Sequence, residues 1–198
     1  MKSDKLDRRA KYTRMVLKES LINLLEKKDI SKITIKEICD DADINRATFY
    51  SHYNDQYDLL RKIEDELLNN VSDYIEALYK ADNSRDDVSL VEEIFEYIKQ
   101  NGKLCRLLLN ERGDLNFQKK VMMLVYDRIV NELTDNNNIT KEDAECIYSF
   151  FITGCVGLVQ KWLNDGMKKS ARYMAEMVMK LTLGITSSYK TLQPKKRV

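Results

Sequence analysis

The chain has 198 residues, of which 43% are hydrophobic, so it can bury the core of one compact unit or two small ones, which excludes a disordered tail. A single proline and six glycines leave little to interrupt helices, and an all-α fold is expected. The formal net charge of +1 hides an uneven distribution, because residues 1–18 carry seven cations against two acids, and residues 82–96 carry six acids against one cation.

The first helix is expected over about residues 7–28, because apolar residues return on one face at helical spacing while Lys and Arg occupy the other. Its basic N-terminal end is suited to phosphate, although such a run is also typical of a solvated face. A short second helix follows, with Thr34 as its N-cap and Glu37 three residues later in a capping box.

A sharp turn is predicted after Ala42, because Asp43 tolerates a left-handed backbone. Asn45 is then a good N-cap for a third helix over about residues 46–52, with Phe49 facing inward. His52 is expected at the surface, with a core position or a pH-sensing role as alternatives. Tyr53 is expected in the core.

Long helices account for the rest of the pattern. A fourth helix starts after a cap at Asn54 and Asp55. The later helices are predicted over about residues 88–100, 103–109, 115–133, 141–165 and 171–189. The clearest break is the polar run at residues 135–138, followed by Thr140 and Asp143 as another helix start.

The second and third helices have the spacing of a helix-turn-helix, whose second member enters the major groove of DNA. The outer face of the third helix offers amide, guanidinium, hydroxyl, imidazole and methyl groups that suit base edges, and its neighbours suit phosphates. The predicted DNA-binding residues are Thr34, Lys36, Asn45, Arg46, Ala47, Thr48, Tyr50, Ser51 and His52.

Glycines within an apolar helix indicate a close approach of another helix, either in a second copy of the chain or within one subunit. The predicted dimer residues are Phe151, Gly154, Gly157, Leu158, Trp162, Met174, Met177, Val178 and Leu181. A small-molecule site between helices is expected to use aromatic and sulfur side chains, which alternatively form plain core. Its candidates are Phe95, Phe117, Met122, Met123, Tyr126 and Tyr148.

The segment TIKEICDDADINRATFYSHYNDQYDLL resembles the DNA-binding domain of the TetR family of bacterial transcription regulators. The matching positions are Thr34, Ile38, Ala42, Ile44, Ala47, Thr48, Phe49, Tyr50, His52, Leu59 and Leu60. The departures are Cys39, Asp43, Asn45, Tyr53 and Gln56, the last of which replaces a lysine that often supports a backbone contact. The C-terminal FFITGCVGLVQKWLNDGMKKS is similar to a subgroup related to regulators of dihydroxyacetone kinase operons.

The resemblance implies a DNA-binding domain over residues 8–60, with its helix-turn-helix at about 34–53, and a helical regulatory and dimerisation domain over 61–190. Residues 191–198 form an expected basic, flexible tail. The implied function is a homodimeric repressor that leaves an inverted-repeat operator in double-stranded DNA when a small-molecule effector binds. The alternative is a coactivator or adaptor of the same shape that acts through a protein partner.

Several other functions lack support in the sequence. One histidine, no glycine-rich phosphate loop and no nucleophile beside a base argue against an enzyme, and no cofactor is expected. Cys39, Cys105, Cys146 and Cys155 are expected to be reduced core thiols rather than metal ligands. No apolar run approaches the roughly 20 residues of a membrane span, and the N-terminus is charged, so a cytoplasmic protein without a membrane partner is expected.

Overall fold

The computed structural model describes residues 2–80, 87–110, 115–137 and 139–192. Within these ranges the elements are α-helices and one short 3-10 helix at Ile30–Lys32. The helices of the N-terminal part are α1 (Lys2–Leu25), α2 (Ile35–Ala42), α3 (Arg46–Tyr50) and α4 (Gln56–Lys80). Those that follow are α5 (Asp87–Gln100), α6 (Gly102–Leu109), α7 (Leu115–Met123), α8 (Tyr126–Asn137), α9 (Lys141–Asn164) and α10 (Ala171–Leu192).

The all-α prediction is confirmed, and several helix boundaries differ from the predicted ones. α1 ends at Leu25, three residues before the predicted end. The single helix predicted over residues 115–133 is wrong, because a turn at Leu124 and Val125 divides it into α7 and α8. α8 continues to Asn137, through most of the polar run that was predicted to break the chain. α10 reaches Leu192, so the first two residues of the predicted tail are helical, while residues 193–198 lie outside the described ranges.

The chain divides into two compact units, residues 1–69 and 70–198, and the division falls within α4. In the first unit α1, α2, α3 and the start of α4 enclose a small apolar core. Its fully buried side chains include Leu17, Leu21, Ile33, Ile38, Phe49 and Leu59. The buried hydroxyl of Ser20 donates to Ile38 O at 3.1 Å and ties α1 to α2. α3 packs on this core through Phe49.

The second unit contains two apolar clusters. One joins α5, α9 and α10, and its buried residues are Val91, Phe95, Trp162, Ala171, Met174 and Ala175. The other joins α8 and α9 through Val130, Leu133, Ile139, Ala144 and Tyr148. α9 therefore supplies one wall of each cluster.

Candidate DNA-binding surface

The start of α2 is fixed by the capping box that the sequence predicts. The Thr34 hydroxyl accepts from Glu37 N at 3.3 Å, and Thr34 N donates to Glu37 Oε2 at 3.0 Å. Lys28 Nζ donates to the other carboxylate oxygen at 2.6 Å. The Lys28 hydrogen bond, followed by those from Thr34, lowers the pKa of Glu37 to about 2. Glu37 is thus ionised at neutral pH, and its carboxylate accepts the backbone N–H of Thr34, while the Thr34 hydroxyl accepts that of Glu37.

The turn between α2 and α3 is three residues long and has the left-handed geometry expected at Asp43, with φ 52° and ψ 45°. Ile44 N donates to Cys39 O at 2.9 Å, which closes the end of α2. The Asn45 side chain accepts from Ala47 N at 2.8 Å and caps α3. The two helices and this turn are a helix-turn-helix.

α3 has one buried side and one open side. Phe49 is fully buried in the core of the unit. Arg46 and Ala47 are exposed, and Tyr50 is 57% exposed with its ring edge against Phe49. A cation, a small side chain and a phenol therefore stand on one short helix with nothing of this unit covering them.

The segment after α3 is held by groups that the sequence analysis did not identify. Lys62 Nζ donates to His52 O at 2.9 Å and lies 4.9 Å from the centre of the Tyr53 ring. The same ammonium is 3.3 Å from Asp58, whose carboxylate also accepts from Asn54 N at 3.0 Å. These contacts fix α3 against α4. In the sequence, the spacing of four residues between Asp58 and Lys62 could have indicated this contact, because such pairs lie on one face of a helix.

The nine predicted DNA-binding residues lie at the N-cap of α2, on α2, on α3 or in the segments that flank α3. Thr48 and His52 are half-buried, and the other seven are exposed. Three of them already use a polar group within the unit. Thr34 and Asn45 are helix caps, and the Ser51 hydroxyl donates to Thr48 O at 2.7 Å. Tyr53 is 7% exposed and lies in the core as predicted.

The predicted effector residues fall at several places in the second unit. Phe95 lies in the α5, α9 and α10 cluster, against Trp162, which is a correction to its assignment. Phe117 on α7 is 2% exposed, Met122 is half-buried and Met123 is 52% exposed. Tyr126 and Tyr148 do come together, with ring centres 5.1 Å apart.

The pair of tyrosines has unequal surroundings. The Tyr126 hydroxyl donates to Glu145 at 2.8 Å. The Tyr148 hydroxyl is buried without a hydrogen-bond partner among the described residues, and burial, followed by the nearby Tyr126, raises its pKa to about 12. Tyr148 is therefore a neutral donor with no acceptor supplied by the described part of the fold.

The predicted dimer residues are divided between the core and the surface. Trp162 and Met174 are each 3% exposed and pack inside the subunit, and the Trp162 indole donates to Lys169 O at 2.9 Å, so neither is available to a second copy. This corrects the prediction for these two. Phe151, Leu158, Met177 and Val178 are half-buried. Gly154, Gly157 and Leu181 are exposed.

The exposed side of α9 differs from two expectations, one about apolar runs and one about the cysteines. By length and composition α9 is apolar enough to cross a membrane, and 22% of its most apolar window is buried within the fold. The same side carries Phe150, which is 70% exposed. Cys146 is exposed, so the prediction that all four cysteines lie in the core is wrong for this one. Burial raises the pKa of Cys105 to about 12 and that of Cys155 to about 11.

Comparison with known proteins agrees with this geometry. The family TetR_C_8, described as the transcriptional regulator C-terminal region, matches residues 88–184. YxbF of Bacillus subtilis (strain 168), named as an uncharacterized HTH-type transcriptional regulator, is 35% identical over 171 residues, which cover 83% of this chain and 43% of YxbF. The chain thus spans less than half the length of this curated relative.

Two solved structures share the fold. A TetR transcriptional regulator from Streptococcus agalactiae 2603V superimposes with a TM-score of 0.61 and 22% identity, covering 91% of this chain and 98% of its own. The dihydroxyacetone kinase operon activator DhaS does so with a TM-score of 0.56 and 16% identity, covering 87% and 94%. The likeness to DhaS extends to the fold and does not place the chain in that subgroup. These matches show a transcriptional-regulator C-terminal region over residues 88–184 and a fold shared with TetR-type regulators.

Proposed function

We propose that this chain is a transcriptional regulator of the TetR family, a homodimeric repressor that binds an inverted-repeat operator through α3 and is released by a small-molecule effector. The observation that carries the proposal is the open side of α3. There Arg46, Ala47 and Tyr50 are exposed on a helix whose other side is anchored by the buried Phe49. Fixed polar groups on a short rigid helix are what base reading in a major groove requires.

The side chains of α3 suit different parts of the groove. The Arg46 guanidinium matches the two acceptors of guanine, and the methyl of Ala47 permits close approach to thymine. Thr48 and Tyr50 offer hydroxyls. Lys36 and His52, which precede and follow α3 in the chain, and the exposed Thr34 would bind backbone phosphates.

Dimerisation is proposed through the open sides of α9 and α10. No atom of the described residues lies within 4 Å of where a Cβ of Gly154 or Gly157 would stand, so packing within the described part of the subunit does not require glycine at either position. Both lie beside Phe150, and Leu181 of α10 is 57% exposed. A second copy of these helices would cover apolar surface that is otherwise left in water, and would need close backbone approach. We place the protein in the cytoplasm, with this surface facing a partner subunit rather than lipid.

An effector site is proposed beside Tyr126 and Tyr148. The unpartnered hydroxyl of Tyr148 is a buried donor that a bound polar group would satisfy, which would offset the cost of leaving it unpaired. α4 begins in the first unit and continues into the second, so a change in the second unit has a continuous helix through which to reach α3.

The site is tested by alanine substitution at Arg46, Thr48 and Tyr50, with operator binding followed by fluorescence anisotropy. Loss of the bidentate contact of Arg46 costs about 1–3 kcal/mol, so Arg46→Ala should bind its operator roughly 5-fold to 150-fold more weakly. Thr48→Ala and Tyr50→Ala each lose one hydroxyl contact of about 0.5–1.5 kcal/mol, so each should bind roughly 2-fold to 12-fold more weakly. Lys27→Ala is the matched control, because Lys27 is exposed in the same unit but belongs to the turn after α1 and to neither helix of the helix-turn-helix. Full operator binding by the Arg46 and Tyr50 variants would overturn the assignment.

A further inference from the structure

A basic groove lies in the first unit beside the recognition helix. It has a volume of about 760 Å³. One wall is α1, another is α4, and the third is the segment that directly follows α3. The lining residues are Lys11, Arg14, Met15, Lys18, Ser51, His52, Tyr53, Lys62, Ile63 and Glu66.

The groove carries an excess of positive charge. Lys11, Arg14 and Lys18 follow one another at helical spacing of three and four residues, which places them on one face of α1. Glu66 is the acidic residue of the lining, and it pairs with Lys18 at 3.2 Å. Among the side chains that the structure describes, no ion pair is recorded for Lys11 or Arg14, and both are exposed.

The groove adjoins the end of α3. Its third wall is Ser51, His52 and Tyr53, and α3 ends at Tyr50. Lys62 enters from α4 and holds the backbone of this wall through its 2.9 Å hydrogen bond to His52 O. A DNA strand that extends past this end of α3 would therefore reach the basic groove.

We propose that this groove binds the DNA backbone outside the base pairs that α3 reads, with phosphates held by Lys11 and Arg14. The inference rests on the proposed DNA-binding function and extends it to a second, sequence-independent contact. Ammonium and guanidinium groups are donors that match phosphate oxygens. The groove is partly open to solvent, and Met15 of its lining is 54% exposed, which suits a long polyanion better than a small anion that needs enclosure.

The test uses the full chain with Lys11→Ala and Arg14→Ala, alone and together, on operator duplexes that either stop at the half-sites or extend beyond them. One lost phosphate contact should reduce the salt slope of log K by about 1, which weakens binding about tenfold at roughly 0.1 M salt. The ratio of operator to scrambled-sequence affinity should stay unchanged, because phosphates carry no sequence information. The defect should disappear on the short duplex.

Three results would overturn the inference. Unchanged affinity and salt slope on the long duplex would show that the groove does not meet DNA. An equal loss on both duplexes would place Lys11 and Arg14 within the half-site instead. The third result concerns modification of Arg14 by a dicarbonyl reagent. If inorganic phosphate protects Arg14 from this reagent and the long duplex does not, the groove binds a small anion instead of DNA.

Matched controls separate these outcomes from other failures. Lys27→Ala removes a cation of the same unit outside the groove and should keep the wild-type slope. Both substituted side chains are exposed, so the melting temperature of each variant should stay close to that of the wild type. If Arg46→Ala abolishes specificity while the groove variants bind normally, the groove inference fails and the proposed function stands. If the wild type shows no operator preference, the proposed function fails.

Discussion

Replacing Gly154 and Gly157 with alanine should stabilise the isolated subunit and weaken the dimer. In the subunit, a Cβ at either position meets no atom of the described residues within 4 Å. Alanine in a helix interior is favoured over glycine by about 1 kcal/mol, so the double variant should gain about 2 kcal/mol. For a chain of this size, that gain corresponds to a rise in melting temperature of roughly 4–8 °C.

The dimer should respond in the opposite direction. If α9 packs closely on its partner, each added methyl crowds the interface, and overpacking costs about 1–3 kcal/mol. The dissociation constant of the double variant should therefore rise at least about tenfold. Sedimentation equilibrium over a dilution series measures this constant, and thermal unfolding at a concentration below it measures the subunit alone.

The control is Asn69→Ala, an exposed position on α4 that also gains helix propensity. It should raise the melting temperature slightly and leave dimerisation unchanged. A double glycine variant that dimerises like the wild type would refute the proposed interface. A variant whose dilute subunit melts lower than wild type would instead show that the glycines pack closely within one chain.

Three further predictions concern the first unit. Glu37→Gln keeps the cap but removes a carboxylate of lowered pKa, so its deficit in stability should be full above pH 4.5 and vanish as the pH falls through about 2, as measured by urea unfolding at several pH values. A deficit independent of pH would contradict this. Asp43→Ala should be about 1 kcal/mol less stable than Asp43→Gly, because φ is 52° there, and equal stabilities would argue against the left-handed turn. Lys62→Met should lower the unfolding free energy by about 1 kcal/mol through the lost donor to His52 O, and an unchanged denaturation midpoint would show that this contact does not hold the segment after α3.

Local signals in the sequence account for most of the helix-turn-helix. The caps at Thr34, Asn45 and Thr140, and the left-handed turn at Asp43, are all found where the sequence predicts them. Each depends on residues within three or four positions of one another, so the sequence pattern contains the whole interaction. Phe49 and Tyr53 were also predicted to face the core, and both are buried.

The second unit was less predictable, because an apolar helix face does not reveal what covers it. Trp162 and Phe95 have the composition of an interface or a pocket, yet they pack against each other within the subunit. The basic groove escaped sequence analysis for a similar reason. Lys11 and Lys62 line the same groove only after α1 and α4 have folded together. The division between α7 and α8 has no glycine or proline to mark it.

Selection of bound fragments from a genomic DNA pool by the purified protein, at low and at moderate salt, tests the central claim most directly. The proposal predicts recovery of one inverted repeat at both salt concentrations, with half-sites in successive major grooves. The Arg46→Ala variant should lose that enrichment. Recovery of unrelated fragments at low salt and of none at moderate salt would contradict the proposal, because binding would then come from charge alone and α3 would not read sequence.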